Sequence, residues 1–118
     1  MKIRIKSNSV RYRLTRTDVA KLAAYGFIEE KVNFGEQQLI YALNLTQDDQ
    51  LASTYINNTI TMLMPQRMLN ELASSDTVGF ETSENDLHLL VEKDFTCLDN
   101  VQEDQSENYP NPLAAKVL

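Results

Sequence analysis

Five cations lie within residues 2–14, which read KIRIKSNSVRYRL, in a chain whose formal net charge is −6. Arginine presents a planar fork of N–H donors that binds phosphate or carboxylate through paired hydrogen bonds, and lysine adds a compact positive charge. Grouped on one surface, such side chains can hold an anionic ligand of the phosphate type. The candidate ligand-binding residues are Lys2, Arg4, Lys6, Arg11 and Arg13.

The alternation of apolar residues predicts how these cations are positioned. Apolar residues occupy odd positions before residue 7 and even positions after residue 9, whereas one regular strand keeps a single parity. A two-residue turn at Ser7–Asn8 accounts for the change, since asparagine tolerates the positive φ of such turns. This turn pairs Arg4 with Arg11, and it places all five cations on one face and the apolar residues on the other. A bulge within one long strand is the alternative.

Like charges opposite each other on adjacent strands repel, so the expected pairs Arg4–Arg11 and Lys2–Arg13 need compensation. An anionic ligand is one source of it. Solvation of an exposed sheet edge is another, because charges commonly protect such edges. Acidic residues on neighbouring strands are the third: Glu29, Glu81 or Glu92.

Negative charge is concentrated near the C-terminus, where residues 92–107 contain six acids and one lysine. Clustered carboxylates can bind a divalent cation, but the glycine that a calcium loop needs at its turn is missing. We therefore expect no metal site and interpret the segment as a solvated tail, or as one that covers the basic hairpin. The carboxylates considered as ligands are Glu92, Asp94, Asp99, Glu103 and Asp104.

The single histidine, His88, and the single cysteine, Cys97, are the candidate nucleophilic pair. Residues nine apart along strands meet only by accident of folding, so we expect His88 on a strand surface and Cys97 as a small buried apolar residue. The sequence has no glycine-rich phosphate loop and no Cys/His metal spacing. We expect no catalytic residue and no cofactor, and the sequence leans against an enzyme without deciding the question.

Length and composition are typical of one globular domain: 118 residues, 42% of them hydrophobic. One cysteine permits no internal disulfide, and the N-terminal residues lack a signal-peptide core, so we expect a cytoplasmic protein. No apolar run is long enough to span a membrane. The acidic net charge makes nucleic acid an improbable partner.

The periodicity predicts two helices beside the strands. Thr15 or Thr17 caps a helix that runs to about Tyr25 and ends at Gly26, and Pro65 takes the first position of a second helix. The polar stretch 46–57 is interpreted as a loop. Further strands are expected at about 27–33, 38–45, 58–64, 77–82 and from residue 87 towards residue 95. The predicted fold class is α+β, with a mainly antiparallel, curved or barrel-like sheet of about seven or eight strands and two helices.

A shift of 50 residues aligns the apolar pattern of residues 10–41 with that of residues 60–91. Both segments have the pattern strand, helix, strand, strand. Identities are at the level of chance, so an internal repeat and two independent units both remain open. We expect one α+β domain over residues 1–98, followed by an acidic, proline-containing tail at 99–118 that Tyr109 anchors.

The chain resembles a family of small uncharacterised bacterial proteins in the stretches KIRIKSNSVRYRLT, GFIEEKVNFG, DTVGFE and LLVEKDFTCLDN, followed by ED and NYPNP. The resemblance runs from residue 2 to about residue 112. That family is a domain of unknown function, so the resemblance implies no catalytic residue.

In architecture, repeated strand–helix–strands units that close an antiparallel barrel are similar to the triphosphate tunnel enzymes, the CYTH-like fold. The resemblance implies a tunnel in which Arg, Lys and paired carboxylates hold a triphosphate and a metal. The N-terminal Glu-x-Glu-x-Lys motif of those enzymes reads KIRIK at residues 2–6 here. The two metal-binding carboxylates are thus replaced by cations.

We expect a cytoplasmic binding or accessory module whose cationic strands contact an anionic, phosphate-containing small molecule. One alternative is a divergent triphosphate-tunnel-like phosphohydrolase, in which Glu81, Glu92 and Asp94 converge with the cations around one cavity. The other is a protein-interaction module that docks an acidic partner. Cations around a concave interior favour the first two functions, whereas a flat exposed basic sheet favours the third.

Overall fold

The computed structural model describes residues 1–95 and 106–112, and its elements follow the order β-β-α-β-β twice. The first half comprises β1 (Lys2–Lys6), β2 (Ser9–Leu14), α1 (Arg16–Tyr25), β3 (Phe27–Asn33) and β4 (Gln38–Thr46). The second half comprises β5 (Ala52–Ile56), β6 (Thr59–Pro65), α2 (Gln66–Ser74), β7 (Gly79–Glu84) and β8 (Leu87–Lys93). The described chain thus has the two helices and a strand count within the predicted range.

The strands form two four-stranded sheets, each of which combines one hairpin from each half. The order is β1-β2-β8-β7 in the first sheet and β3-β4-β6-β5 in the second. The predicted α+β class is confirmed, and four of the six strand pairs are antiparallel. The prediction of one barrel-like sheet is wrong, because the strands form two sheets that are not closed, and both sheets are mixed, since the central pairs β2·β8 and β4·β6 are parallel. Alternation along a strand indicates which face is buried, but it carries no information about which distant strand lies alongside or in which direction.

β5 lies inside the stretch that the sequence predicted as a loop, and it pairs antiparallel with β6. Its two large apolar residues, Tyr55 and Ile56, are adjacent and therefore point to opposite faces. That arrangement gives no period-2 signal. A smaller correction concerns Pro65, which is the N-cap of α2 rather than its first helical residue.

The hairpin turns lie at one end of the molecule, which we call the hairpin end, and the helices lie at the other. The turns Asn57–Asn58 and Asn85–Asp86 have positive φ at both residues, as type I′ turns require. In the turn Ser7–Asn8 the positive φ, 50°, is at Ser7, not at the asparagine that was expected to provide it. The turns of the first sheet touch, because Asn8 Nδ2 donates to the Asp86 carbonyl at 2.6 Å.

The core lies between the sheets and the helices, and its members occupy equivalent positions in the two halves. Residues 50 apart are buried together at four places: Tyr12 and Met62, Leu14 and Met64, Val19 and Leu69, Leu22 and Leu72. Burial of each large side chain contributes about 1.5–3 kcal/mol. The helical spacing of Val19, Leu22 and Ala23 predicts that all three form the buried stripe of α1. Val19 and Leu22 are buried, but Ala23 is exposed, so the prediction is wrong at that residue.

The helices are stabilised differently at their N-termini. Thr15 caps α1 through a reciprocal pair: its Oγ1 accepts from the Asp18 N–H at 3.2 Å, and Asp18 Oδ2 accepts from the Thr15 N–H at 2.9 Å. Gly26 ends α1 with φ 81°, as predicted. α2 has no side-chain cap and depends on its buried residues Met68, Leu69 and Leu72.

The described part of the C-terminal segment, residues 106–112, packs against the end of β8. The Tyr109 N–H donates to the Asp94 carbonyl at 2.8 Å, and the Tyr109 ring contacts Phe95 edge-to-face. Lys93 Nζ lies 5.0 Å from the centre of the same ring. Tyr109 therefore helps to anchor this segment, as expected, together with Glu107, whose carbonyl accepts from the Arg16 N–H at 3.1 Å. Cys97, Asp99, Glu103 and Asp104 lie outside the described residues, so the expectations about them stay predictions.

Candidate functional site

The five candidate cations share one face of the β1–β2 hairpin, and we call Lys2, Arg4, Lys6, Arg11 and Arg13 the cationic face. The predicted register is confirmed, with Lys2 opposite Arg13, Arg4 opposite Arg11 and Lys6 opposite Ser9. Tyr12 and Leu14, on the other side of β2, are fully buried. The cationic face therefore belongs to the outer surface of the first sheet, not to its interior.

The strand β8 continues this outer surface and brings acidic groups beside the cations. The parallel register aligns Arg13 with Glu92 and Arg11 with Leu90. Glu92 in turn lies opposite Gly79 of β7. A Cβ on Gly79 would lie 2.7 Å from the Glu92 Cβ, so the glycine permits the close approach that fixes Glu92 next to the arginines.

Three of the five cations have a carboxylate partner. Glu92 Oε1 lies 3.0 Å from Arg13 Nε and 3.5 Å from Arg11 Nε, and Asp94 Oδ2 lies 3.0 Å from Lys2 Nζ. Asp94 is almost fully buried, and its Oδ2 has no aligned hydrogen bond among the described residues. The positive charge of Lys2, rather than an aligned donor, compensates that buried oxygen.

Arg4 and Lys6 are exposed and form no ion pair within residues 1–95 and 106–112. Among the described residues, two carboxylates pair with three of the five cations and leave the charges of Arg4 and Lys6 uncompensated, in a chain whose net charge is −6. Arg4 also lies directly opposite Arg11, whose partner Glu92 is shared with Arg13. Repulsion along β1 and β2 is thus relieved at the Lys2 end and persists at Arg4 and Lys6.

The other two acids considered as neutralising partners lie elsewhere. Glu81 Oε2 contacts His88 Nε2 at 3.1 Å on the same outer face, at the opposite edge of the sheet from β1. Glu29 Oε1 lies 4.0 Å from Lys31 Nζ on β3. Only Glu92 of the three predicted acids touches the cationic face in the described structure. His88 lies on a strand and is partly exposed, in keeping with a surface position.

The concave part of this surface is a 320 Å³ pocket at the Lys2 end of the hairpin. Lys2, Arg13 and Lys93 line it, but so do Glu92 and Asp94. Two carboxylates next to the cations disfavour a small polyanion in this pocket. No group of three His, Cys, Asp or Glu side chains placed to hold a metal occurs among the described residues.

An apolar groove opens between the two sheets at the hairpin end, with a volume of about 450 Å³. Tyr55 is 69% exposed and Ile5 57% exposed, which is unusual for large apolar side chains on inward-facing strand positions. Sequence reasoning missed this groove because it interpreted residues 46–57 as a loop. The apolar residues that line the groove are Ile5, Val10, Leu39, Tyr55, Ile60 and Leu87.

A pair of tyrosines links the sheets below the groove. Tyr12 is fully buried, donates its hydroxyl hydrogen to the Ile60 carbonyl at 3.0 Å and packs edge-to-face against Tyr41. Burial raises the pKa of both hydroxyls. Both phenols are therefore neutral at physiological pH, and neither is poised as a base.

Comparison with known proteins identifies a family but no individual related protein. A family model described as a family of unknown function, DUF7009, matches residues 1–113. No curated protein and no solved structure matches the chain, so the similarity to the triphosphate tunnel enzymes is not confirmed. Neither helix of the described chain combines the length and apolarity needed to cross a membrane. The chain belongs to the DUF7009 family, whose function is unknown, as the resemblance of its sequence indicated.

Proposed function

We propose that this chain is a protein-interaction module whose cationic face docks an acidic segment of a partner protein. The observation that carries the proposal is the position of Arg4 and Lys6, which are exposed on the outer surface of an open sheet without an ion pair among the described residues. We further propose that the docking takes place in the cytoplasm. The lone cysteine, Cys97, supports that location because the fold uses no internal disulfide.

The geometry of β1 favours an extended peptide over a compact anion. Arg4 and Lys6 are two residues apart on one strand, so their Cα atoms are separated by ~6.8 Å. Acidic residues at alternate positions of an extended chain repeat with the same spacing. In the pocket at the Lys2 end, where cations do line a concave surface, Glu92 and Asp94 line it as well. A phosphate-containing small molecule and the phosphohydrolase remain the alternatives, and one experiment tests all three.

The experiment measures binding of a fluorescent seven-residue peptide, of alternating glutamate and valine, by anisotropy at fixed ionic strength. The double variant Arg4→Glu/Lys6→Glu reverses the two uncompensated charges. Loss of two contacts worth about 1 kcal/mol each predicts binding at least about tenfold weaker. Raising the salt concentration weakens binding to the unmodified chain, because exposed charges are screened.

The matched control is Lys21→Glu/Lys31→Glu, which changes the net charge equally on exposed residues of α1 and β3. The control should bind the peptide within about twofold of the unmodified chain. Equal losses in both variants would show a general charge effect and contradict a defined face. Binding of tripolyphosphate in preference to the peptide overturns the protein partner, and magnesium-dependent hydrolysis of it supports the phosphohydrolase.

A further inference from the structure

We infer that the partner binds by strand addition: an extended segment with alternating acidic and apolar residues pairs with the free edge of β1. The inference rests on the proposed function and adds the partner's backbone conformation and side-chain pattern. β1 is an edge strand of the first sheet, with β2 as its hydrogen-bonded neighbour. Edge strands carry unpaired N–H and C=O groups that an incoming strand can satisfy.

The turn at Ser7–Asn8 determines which backbone groups of β1 face outward. The residues that flank a two-residue turn form a hydrogen-bonded pair, here Lys6 and Ser9, and such pairs alternate along an antiparallel ladder. Arg4 and Lys2 therefore direct their backbone groups toward β2. Ile3 and Ile5 direct theirs toward the open edge, where no other described residue forms a backbone hydrogen bond with them.

The side chains of β1 specify the pattern of the added strand. A residue opposite Arg4 or Lys6 lies on the outer face, where a carboxylate meets an uncompensated cation. A residue opposite Ile5 lies on the inner face, beside the apolar groove that Ile5 and Tyr55 share. The groove's volume of about 450 Å³ is that of a small-ligand pocket and accommodates apolar side chains.

β1 differs from the other edge strands of the described chain in the charges that it carries. β5, its equivalent in the second half, carries Ala52, Thr54 and Ile56 on its outer face and no charge. β3 carries both signs, with Glu29 and Lys31 on one face. β7, the other edge of the first sheet, carries the acids Glu81 and Glu84 and no cation. A strand whose only charges are positive repels basic strands and admits acidic ones, so β1 is the edge of the two described sheets whose charge favours an acidic strand.

The first test compares three labelled peptides on the unmodified chain by anisotropy. The first is the alternating glutamate–valine peptide, and the second has the same composition with all glutamates before all valines. The third is the alternating peptide with N-methyl groups on the backbone nitrogens that would donate hydrogen bonds to Ile3 and Ile5. We expect the second and third to bind at least about tenfold more weakly, since one loses the pattern and the other loses backbone donors. By NMR, hydrogen exchange of the Ile3 and Ile5 amides should slow when the alternating peptide binds.

Two variants test the contribution of the groove. Ile5→Thr keeps a β-branched side chain and removes apolar surface from the groove, and we expect several-fold weaker binding. Ile56→Thr makes the same change on the outward face of β5, where Ile56 is 62% exposed, and we expect no effect. Equal effects of the two variants count against a role of the groove.

The outcomes separate the two proposals. If the N-methylated peptide binds as tightly as its parent while Arg4→Glu/Lys6→Glu still abolishes binding, strand addition is wrong and binding of an acidic segment to the cationic face is supported. If no acidic peptide binds, both proposals fail. If peptide affinity falls as protein concentration rises and the chain self-associates by sedimentation, a second copy occupies the edge and the inferred partner is wrong.

Discussion

At the scale of single residues, Glu92 determines how much positive charge the hairpin presents, because its Oε1 serves Arg11 and Arg13 together. Replacing Glu92 by Gln removes one negative charge from the cationic face and keeps the shape of the side chain. We expect the alternating acidic peptide to bind roughly threefold to tenfold more tightly, an effect of about 1 kcal/mol for one charge near the surface. Anisotropy titration at low and high salt measures the gain and its screening.

The control for this substitution is Glu81→Gln, which makes the same change on the same sheet but beside His88. Its effect on peptide affinity should stay below about twofold, since Glu81 has no contact with the cationic face. Urea denaturation of Glu92→Gln should show a loss in the free energy of unfolding of no more than about 1 kcal/mol, as expected for partly exposed ion pairs. Equal gains of affinity in both variants would argue against Glu92 as a local regulator.

Tyr12 makes a prediction about pH. Burial raises the pKa of its hydroxyl in the folded chain above the ordinary value of about 10. The folded state therefore holds this proton more tightly, and the resulting stability is complete below pH ~10 and is lost as the pH rises further. Tyr12→Phe should cost about 1 kcal/mol at pH 7, through the bond to the Ile60 carbonyl, and should make the alkaline loss of stability shallower.

Urea denaturation followed by circular dichroism at neutral pH and above pH 10 measures both effects. Tyr25→Phe is the matched control, because Tyr25 is 74% exposed. That variant should leave both the stability at pH 7 and its alkaline dependence unchanged. If stability falls with pH as steeply in Tyr12→Phe as in the unmodified chain, other groups cause the alkaline loss. Tyr41 and Tyr109 are the first candidates, because burial raises their pKa as well.

At the scale of elements, the two helices should respond differently to changes at their N-termini. Thr15→Ala removes the Oγ1 acceptor of the α1 capping box, and we expect a loss of about 1 kcal/mol in the free energy of unfolding. Thr17 lies two residues further along the chain, and Thr17→Ala removes only an exposed hydrogen bond to Glu107. That change should cost less than about half of the loss expected for Thr15→Ala. Thermal melts of the two variants give the comparison, and equal losses would contradict the capping role.

The elements also show what the sequence could and could not reveal. The β1–β2 register was predictable because strict alternation on both sides of a two-residue turn allows one pairing that keeps the apolar residues together. Local chemistry likewise predicted the helix end at Gly26 and limited its start to Thr15 or Thr17, of which Thr15 is the cap. β5 was missed because Tyr55 and Ile56 interrupt the alternation. Extending the 50-residue shift from residue 10 back to residue 2 would have found it, since β1 begins at Lys2 and β5 at Ala52.

The site was predictable only in part, because local patterns indicate which side chains share a face but not which distant strands lie beside them. The five cations and their common face follow from local periodicity. Their partners do not, because Glu92 and Asp94 reach the hairpin through the parallel pairing of β2 with β8, a contact between strands 79 residues apart in the chain. The apolar groove likewise depends on the packing of one sheet over the other, which no local pattern encodes.

At the scale of the whole molecule, the interleaved sheets predict a single unfolding transition. Each sheet contains a hairpin from each half, so neither half can lose its structure without exposing the core of the other. Leu22 and Leu72 occupy equivalent positions in α1 and α2 and are both buried in that core. Leu22→Ala and Leu72→Ala should each lower the free energy of unfolding by about 2–5 kcal/mol.

Circular dichroism and tyrosine fluorescence in urea should report the same midpoint in each of these variants, because the chain has no tryptophan and its tyrosines lie in both sheets. Separate midpoints for the two probes in either variant would indicate that the halves unfold independently. Leu63→Ala, on the outer side of β6 and only partly buried, is the control and should cost less than either core change.

The pairing of β2 with β8 has a consequence for the chain during its synthesis. The β1–β2 hairpin leaves the ribosome about 79 residues before the strand that completes its sheet, which at ~5–20 residues per second corresponds to roughly 4–16 s. Over that interval β2 has an open edge, and the hairpin carries five cations before Glu92 and Asp94 have been made. When the edges of two such unfinished hairpins approach each other, like charges meet, which disfavours pairing between them. The charges proposed to bind an acidic partner in the folded chain would thus also limit mispairing of unfinished copies.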